Sequence, residues 1–233
     1  LVHLDVGGVD VSFTNSAAWM VIVVLLITAF LTFGMRQRAM VPGRWQSMAE
    51  LVYEFVAGMV RDNAGQAGMQ YFPFVFTLFM FILFSNLLGL LPLLSLGFTV
   101  TSHIIVTFAL AATVFIGVTL IAIARHGVKF LTFFVPHGVP IPLLLVLVPI
   151  ELISYCIRPF TLSVRLFANM MAGHTMLNII ATFVIGLGLL AGWAPLAFMV
   201  ALTGLEVAIA CLQAFVFTVL TCIYLNDALH LHH

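Results

Sequence analysis

Arg165-Leu166-Phe167-Ala168-Asn169-Met170-Met171-Ala172-Gly173-His174 lies at the centre of residues 143–185, an otherwise apolar, helix-compatible run that also holds Glu151 and Arg158. A charged side chain at bilayer depth costs roughly 2.5–3.5 kcal/mol on insertion scales, so such residues face protein or water and mark ion or proton routes. Arg165 is the most constrained of them. Its guanidinium keeps its proton, with a pKa above ~12, and stays a fixed positive charge.

Working outward from that stretch, the composition is 64% hydrophobic and 7% charged, with a mean hydropathy of +1.24. Soluble domains carry about 25% charged residues, so the chain reads as an integral membrane protein. Net charge is zero and there is no Lys/Arg-rich run, which argues against nucleic acid as a partner. Cys156, Cys211 and Cys222 lie in apolar spans without redox or metal spacing and are expected to be buried small hydrophobes. The histidines at 230, 232 and 233 read as a solvated tail, and neither metal nor cofactor is expected. The chain opens on Leu1 and not on methionine, in keeping with removal of either a leader or a disordered start.

Five apolar runs are long enough to cross a bilayer, which needs ~20 helical residues for a 30 Å core. They are residues 17–35, 71–94, 100–124, a crossing within 143–185, and 196–225. Arg36, Arg38, Arg44 and Arg61 follow the first run, and Arg125 and Lys129 follow the third. By the positive-inside rule both segments are cytoplasmic, which places the N-terminus outside and, after five crossings, the C-terminus inside. Residues 1–16 are read as an external arm and 17–233 as a single transmembrane domain. Within 47–60, Met48, Leu51, Val52, Phe55, Val56 and Met59 recur at helical spacing, as in an amphipathic helix on the inner membrane surface. Residues 130–142, with Pro136, Pro140 and Pro142, form a second inner-surface segment. His103 is expected at the outer interface.

The fold class is thus all-α, with about five crossings, inner-surface amphipathic helices, and a long C-terminal helical hairpin. Residues 143–185 would extend ~65 Å at 1.5 Å per residue, about twice the hydrocarbon thickness. The run must tilt strongly or bend, with Pro149 and Pro159 as bend points.

Glu151, Arg158 and Arg165 recur every seven residues, which brings each back to within ~20° of the last. Asn169 falls on the same side, and His174 about 180° away. Glu206 and Gln213 share a face of the last run, so two helices are expected to offer facing polar stripes. The chain's direction puts Glu151 in the inner half and Arg165 near the middle. His174 and Glu206 fall together in the outer half and are expected to act as one proton relay. Titratable groups on either side of a permanent cation describe two half-paths that do not join, because the arginine repels a passing proton.

The residues at this point resemble a known family. Arg165 to Met170, preceded by Glu151 and Arg158-Pro159 and followed by Leu212-Gln213-Ala214-Phe215-Val216-Phe217, is similar to subunit a of F-type ATP synthases. Pro42-Gly43-Arg44-Trp45-Gln46 and Asn86-Leu87-Leu88-Gly89-Leu90-Leu91-Pro92 extend the match over nearly the whole chain. The resemblance implies a stator subunit with two offset proton half-channels, in which Arg165 is the essential arginine opposed to carboxylates of a ring of c subunits. It further implies an outer pair formed by His174 and Glu206, a pathway that includes Asn169, Gln213 and Glu151, and protons as the ion. Peripheral-stalk b-type subunits and the lipid bilayer are the other expected partners. The His-then-Glu order resembles the mitochondrial and related bacterial branch, and a bacterial inner membrane is the expected location. The chain has no Gly-x-x-x-x-Gly-Lys phosphate loop, so ATP would be made by other subunits. Two other classes fit less well: a self-contained transporter lacks its inverted repeats and broken-helix site, and an intramembrane hydrolase lacks a Ser/His or His-x-x-x-His arrangement in the spans.

Overall fold

The computed structural model describes residues 5–6, 9–10, 15–35, 43–90, 103–127 and 141–229. Nearly all of them are helical. Helices α1 (Asn15–Gly34), α2 (Arg44–Gly68), α3 (Phe72–Leu90), α4 (Ile104–His126), α5 (Ile141–Ala191) and α6 (Trp193–Leu229) follow in order, with a 3-10 turn at Met69–Tyr71 joining α2 to α3. In the N-terminal arm, β1 (Asp5–Val6) and β2 (Val9–Asp10) form a two-residue antiparallel ladder, a detail the polar composition of the arm did not reveal. Five helical segments are long and apolar enough to span a membrane, in agreement with the hydropathy reading. The chain is an all-α, multi-pass membrane protein.

Helix α6 is the centre of the packing and touches α2, α3, α4 and α5, whereas α1 packs on α2 and α3. The local sequence explains why. Ala210, Ala214, Thr218 and Cys222 recur every four residues on α6, and all are buried. Small residues at that spacing let helix backbones approach closely, which is where packing energy comes from when lipid is as apolar as the protein. Phe217 and Leu225 fill the space beside the stripe. Buried threonines satisfy themselves within their own helix: Thr218 and Thr221 donate to the carbonyls of Ala214 and Phe217 at 2.8 and 2.9 Å.

Helix α2 packs through Ala49, Val56, Ala57, Met59, Val60, Ala64 and Gly68, so Val56 and Met59 of the apolar stripe face the protein while Met48, Leu51 and Phe55 are exposed. The alanines and the glycine let α2 come close to its neighbours. The cysteines correct an expectation: Cys222 is buried, but Cys156 and Cys211 are exposed. Hydrophobicity alone does not turn a cysteine inward here, because lipid accepts it as readily as protein does. The proline-rich segment and the arginines at 36 and 38 lie outside the described residues. His103 is exposed just before α4.

Helix α5 passes Pro149 and Pro159 without leaving helical backbone angles, so neither proline breaks it; the break comes at Gly188. From Leu143 to Gly188 the span holds 46 residues, about 69 Å of helix. Gly188 has φ 62° and ψ −167°, a region open essentially to glycine alone. Its carbonyl accepts from the Gly192 amide at 2.9 Å, and a Cβ on Gly192 would lie 2.6 Å from that oxygen. The two glycines therefore close the α5–α6 hairpin. Gly188→Ala is expected to cost roughly 1–3 kcal/mol and to lower the thermal midpoint of the purified complex. Gly186→Ala, at a helical position with open space around it, should leave that midpoint unchanged or raise it.

Candidate functional site

The hairpin of α5 and α6 carries every site residue expected from the sequence. Around Arg165 the buried side chains of α5 include Leu162, Ser163, Leu166 and Met170, and Ser163 bonds Thr107 of α4 at 3.2 Å. The opposite side is apolar and open, with Ile157, Phe160, Val164 and Met171 exposed. Only 6% of the most apolar window of α5 is buried, against 39% for α6, so the rest of the chain does not cover this helix. Arg165 stands exposed beside that open face. It makes no hydrogen bond or ion pair with any described residue. Arg158, one step earlier in the same stripe, is different: its Nη1 lies 3.6 Å from Asp227 Oδ2 on α6. Glu151 is half-buried near the start of α5.

A second group gathers where α3, α5 and α6 meet. Asn169, Met170, Gly173 and Leu177 of α5, Leu202, Leu205 and Glu206 of α6, and Leu90 of α3 line a cleft of about 170 Å³. That is well above the ~10–15 Å³ one water needs. Neither carboxylate oxygen of Glu206 has a hydrogen-bond partner among the described residues. The carboxylate rests on Gly173: a Cβ there would run into Oε1 and lie 2.9 Å from the carboxyl carbon. Glu206 thus meets α5 one residue before His174, about 100° around the helix, and the two are not joined directly. His174 is half-buried nearby.

Of the two expected polar stripes, Asn169 of α5 and Glu206 of α6 line the same cleft. Gln213 is 5% exposed, with its Nε2 unpartnered among the described residues, while Arg165 is exposed. The buried polar groups of α6 continue toward α3. Asn86 is fully buried and its Nδ2 donates to the Ala210 carbonyl at a long 3.4 Å. Its Oδ1 and the hydroxyl of Ser85 are unpartnered. Asn86 and Ser85 were missed as site residues in the sequence, although an asparagine within an apolar span is a signal of this kind. The arrangement offers a fixed cation able to hold an external carboxylate, and apart from it a titratable cleft with room for water.

Ionisable residues held within the spans of a polytopic helical membrane protein mark the class of ion-handling membrane proteins. The comparisons narrow this. Residues 17–226 match the family model of the ATP synthase A chain, and the chain belongs to that family. It is 61% identical to ATP synthase subunit a of Paramagnetospirillum magneticum, over 100% of this chain and 95% of the relative. It is 57% identical to the subunit a of Parvibaculum lavamentivorans, covering 100% and 91%, and 55% identical to that of Rhodospirillum rubrum, covering 100% and 95%.

Because only glycine leaves room for the Glu206 carboxylate, Gly173→Ala should displace it and slow proton-driven ATP synthesis several-fold. Shortening the acid in Gly173→Ala/Glu206→Asp should recover part of the rate in the same membrane-vesicle assay. A rate equal to wild type in the single variant would remove Gly173 from the site.

Proposed function

We propose that this chain is the stationary membrane subunit of a rotary ATP synthase and supplies two offset proton half-channels to a ring of c subunits, separated by Arg165. The observation that carries the reading is the exposed guanidinium of Arg165 beside an apolar helix face, with no partner among the described residues. Lipid cannot compensate that charge, and a carboxylate on a neighbouring subunit can. Family membership supports the choice of neighbour.

In this scheme protons enter from outside through the cleft between α3, α5 and α6. Glu206, His174, Asn169 and Gln213 carry them, and the unpartnered groups of Asn86 and Ser85 hold water along the way. A proton reaching the ring neutralises a carboxylate, which can then leave Arg165 and enter lipid. After a nearly full rotation the carboxylate releases its proton toward the inner half, past Glu151, and is drawn back to Arg165. The arginine performs two tasks: it attracts the deprotonated carboxylate, and it blocks direct passage by repelling protons. One charge crossing 100 mV is worth ~2.3 kcal/mol, so several protons are needed per ATP. ATP itself is made by other subunits, and this chain is not an enzyme alone. Residues 17–233 act as one transmembrane domain with an external arm at 1–16. The N-terminus faces outward and the C-terminus the cytoplasm of a bacterial inner membrane. The open, apolar face of α5, strongly tilted, receives the ring, and b-type peripheral-stalk subunits hold the chain stationary.

Arg165→Ala is the direct test. Reconstituted complex carrying it should lose proton-driven ATP synthesis entirely and gain passive proton leak; near-normal synthesis would sink the reading. For the outer path, His174→Ala and Glu206→Ala should each slow uptake from outside more than release inside. Exchanging the two side chains should restore part of the rate, since both groups remain and a bridging water can link them in either order. An exchange variant no better than either single variant would remove the pair as a relay.

A further inference from the structure

The arginine stripe of α5 poses a problem that the scheme above leaves open. Arg158 and Arg165 are seven residues apart, so they point within ~20° of each other and lie ~10 Å apart along the helix. Two free cations on one face would offer an incoming carboxylate two resting places. Only one can release it where the half-channels meet.

The surroundings of the two arginines differ sharply. Arg165 has no partner, whereas the Arg158 guanidinium is turned toward the last two turns of α6. There it pairs with Asp227 at 3.6 Å and lies over the rings of Tyr155 and Tyr224, at 5.5 and 5.0 Å from their centroids. Its side chain is 25% exposed. The seat is built from three helices. Tyr155 bonds Thr119 of α4 at 2.7 Å. Thr119 spends its one hydroxyl proton on the Phe115 carbonyl at 2.7 Å, so the tyrosine hydroxyl is the donor. Phe115 packs on the Tyr155 ring at 4.9 Å. Beside them, His126 of α4 bonds the carbonyl of Ala228 at 3.2 Å, which ties the end of α6 in place. A small void of about 20 Å³ is enclosed by Arg158, Tyr155, Tyr224, Asp227 and apolar neighbours. Cation–π contact and a partly buried carboxylate together hold a guanidinium far better than either alone.

We infer that Asp227 is the internal counter-ion that removes Arg158 from the ring-facing side and so leaves Arg165 as the single cation available to a carboxylate of the neighbouring subunit. Asp227 is a positioning residue that acts through Arg158, and the tyrosine rings set the direction in which Arg158 is withdrawn. The inference rests on the reading of Arg165 as the charge that meets the ring.

It makes an asymmetric prediction that a salt bridge serving stability alone does not. In membrane vesicles containing the complete complex, Asp227→Asn frees Arg158 and should lower ATP-driven proton pumping per ATP hydrolysed several-fold. Arg158→Gln removes the competing cation and should leave that ratio near wild type. Asp227→Asn/Arg158→Gln should recover most of what Asp227→Asn loses, and it tests the idea even where the single variant assembles poorly. All ratios are taken per assembled complex, with Arg165→Ala run alongside. Equal loss in Arg158→Gln and Asp227→Asn, a double variant no better than Asp227→Asn, or wild-type coupling in Asp227→Asn would each overturn the counter-ion role. Failure of the Arg165 reading would instead appear as pumping retained in Arg165→Ala.

Discussion

A guanidinium that cannot lose its proton, exposed on a membrane-spanning helix, is the constraint on which the rest of this structure depends. Arg165 has no counter-charge among the described residues, and the cost of leaving it to lipid is several times the thermal energy. On the proposed function, a neighbouring subunit supplies the missing carboxylate. Such a neighbour accounts for the unusual openness of α5, which is anchored along one narrow edge by Leu162, Ser163 and Leu166 and leaves large apolar side chains such as Phe160 uncovered. In a protein that folded for itself alone such a face would be a liability. Here the chain belongs to a family whose members are one part of a multi-subunit complex.

Polar groups in the bundle fall into two kinds, and the difference is functional. Threonines on α1, α4 and α6 return their hydroxyl protons to the carbonyl one turn back, as Thr28, Thr113 and Thr218 do at 2.8 Å. They cost the membrane little and offer nothing to a ligand. Glu206, Gln213, Asn86 and Ser85 instead keep buried atoms without protein partners, and all lie on α3 and α6, on the inner side of the hairpin. Buried polar atoms of this kind need water. They cluster beside a cleft that includes Asn169, apart from Arg158 and its aromatic seat, where the cation is partly exposed and paired.

Much of this was legible from the chain alone. Hydropathy placed five spans, and the apolar runs were long enough that helix was the one structure able to satisfy their backbones in lipid. The arginine at mid-span and the glutamate on the last helix announced themselves because ionisable residues are so costly there. Their seven-residue spacing told which of them share a stripe. The family could be recognised from the Arg165 motif and its flanking segments, which the comparisons bear out over the full chain.

What the sequence by itself determined, then, was everything set by the membrane acting on one helix at a time: which segments span, which residues are too polar to be there without purpose, and on which stripe they lie. What only the tertiary structure decided was everything set between helices. Periodicity on α2 picked out Val56 and Met59 of its packed face but not the alanines and glycine beside them, because lipid accepts a leucine as readily as protein does and close approach is what favours helix association. The same indifference left Cys156 and Cys211 outside. Nothing in the spacing said that Glu206 would rest on Gly173 and not on His174, that Asn86 would reach the Ala210 carbonyl 124 residues away, or that Asp227, near the end of the described chain, would hold Arg158. Such pairings join positions far apart in sequence. They depend on the rotation and depth of each helix against its neighbours, quantities that a one-dimensional pattern of hydrophobicity does not contain.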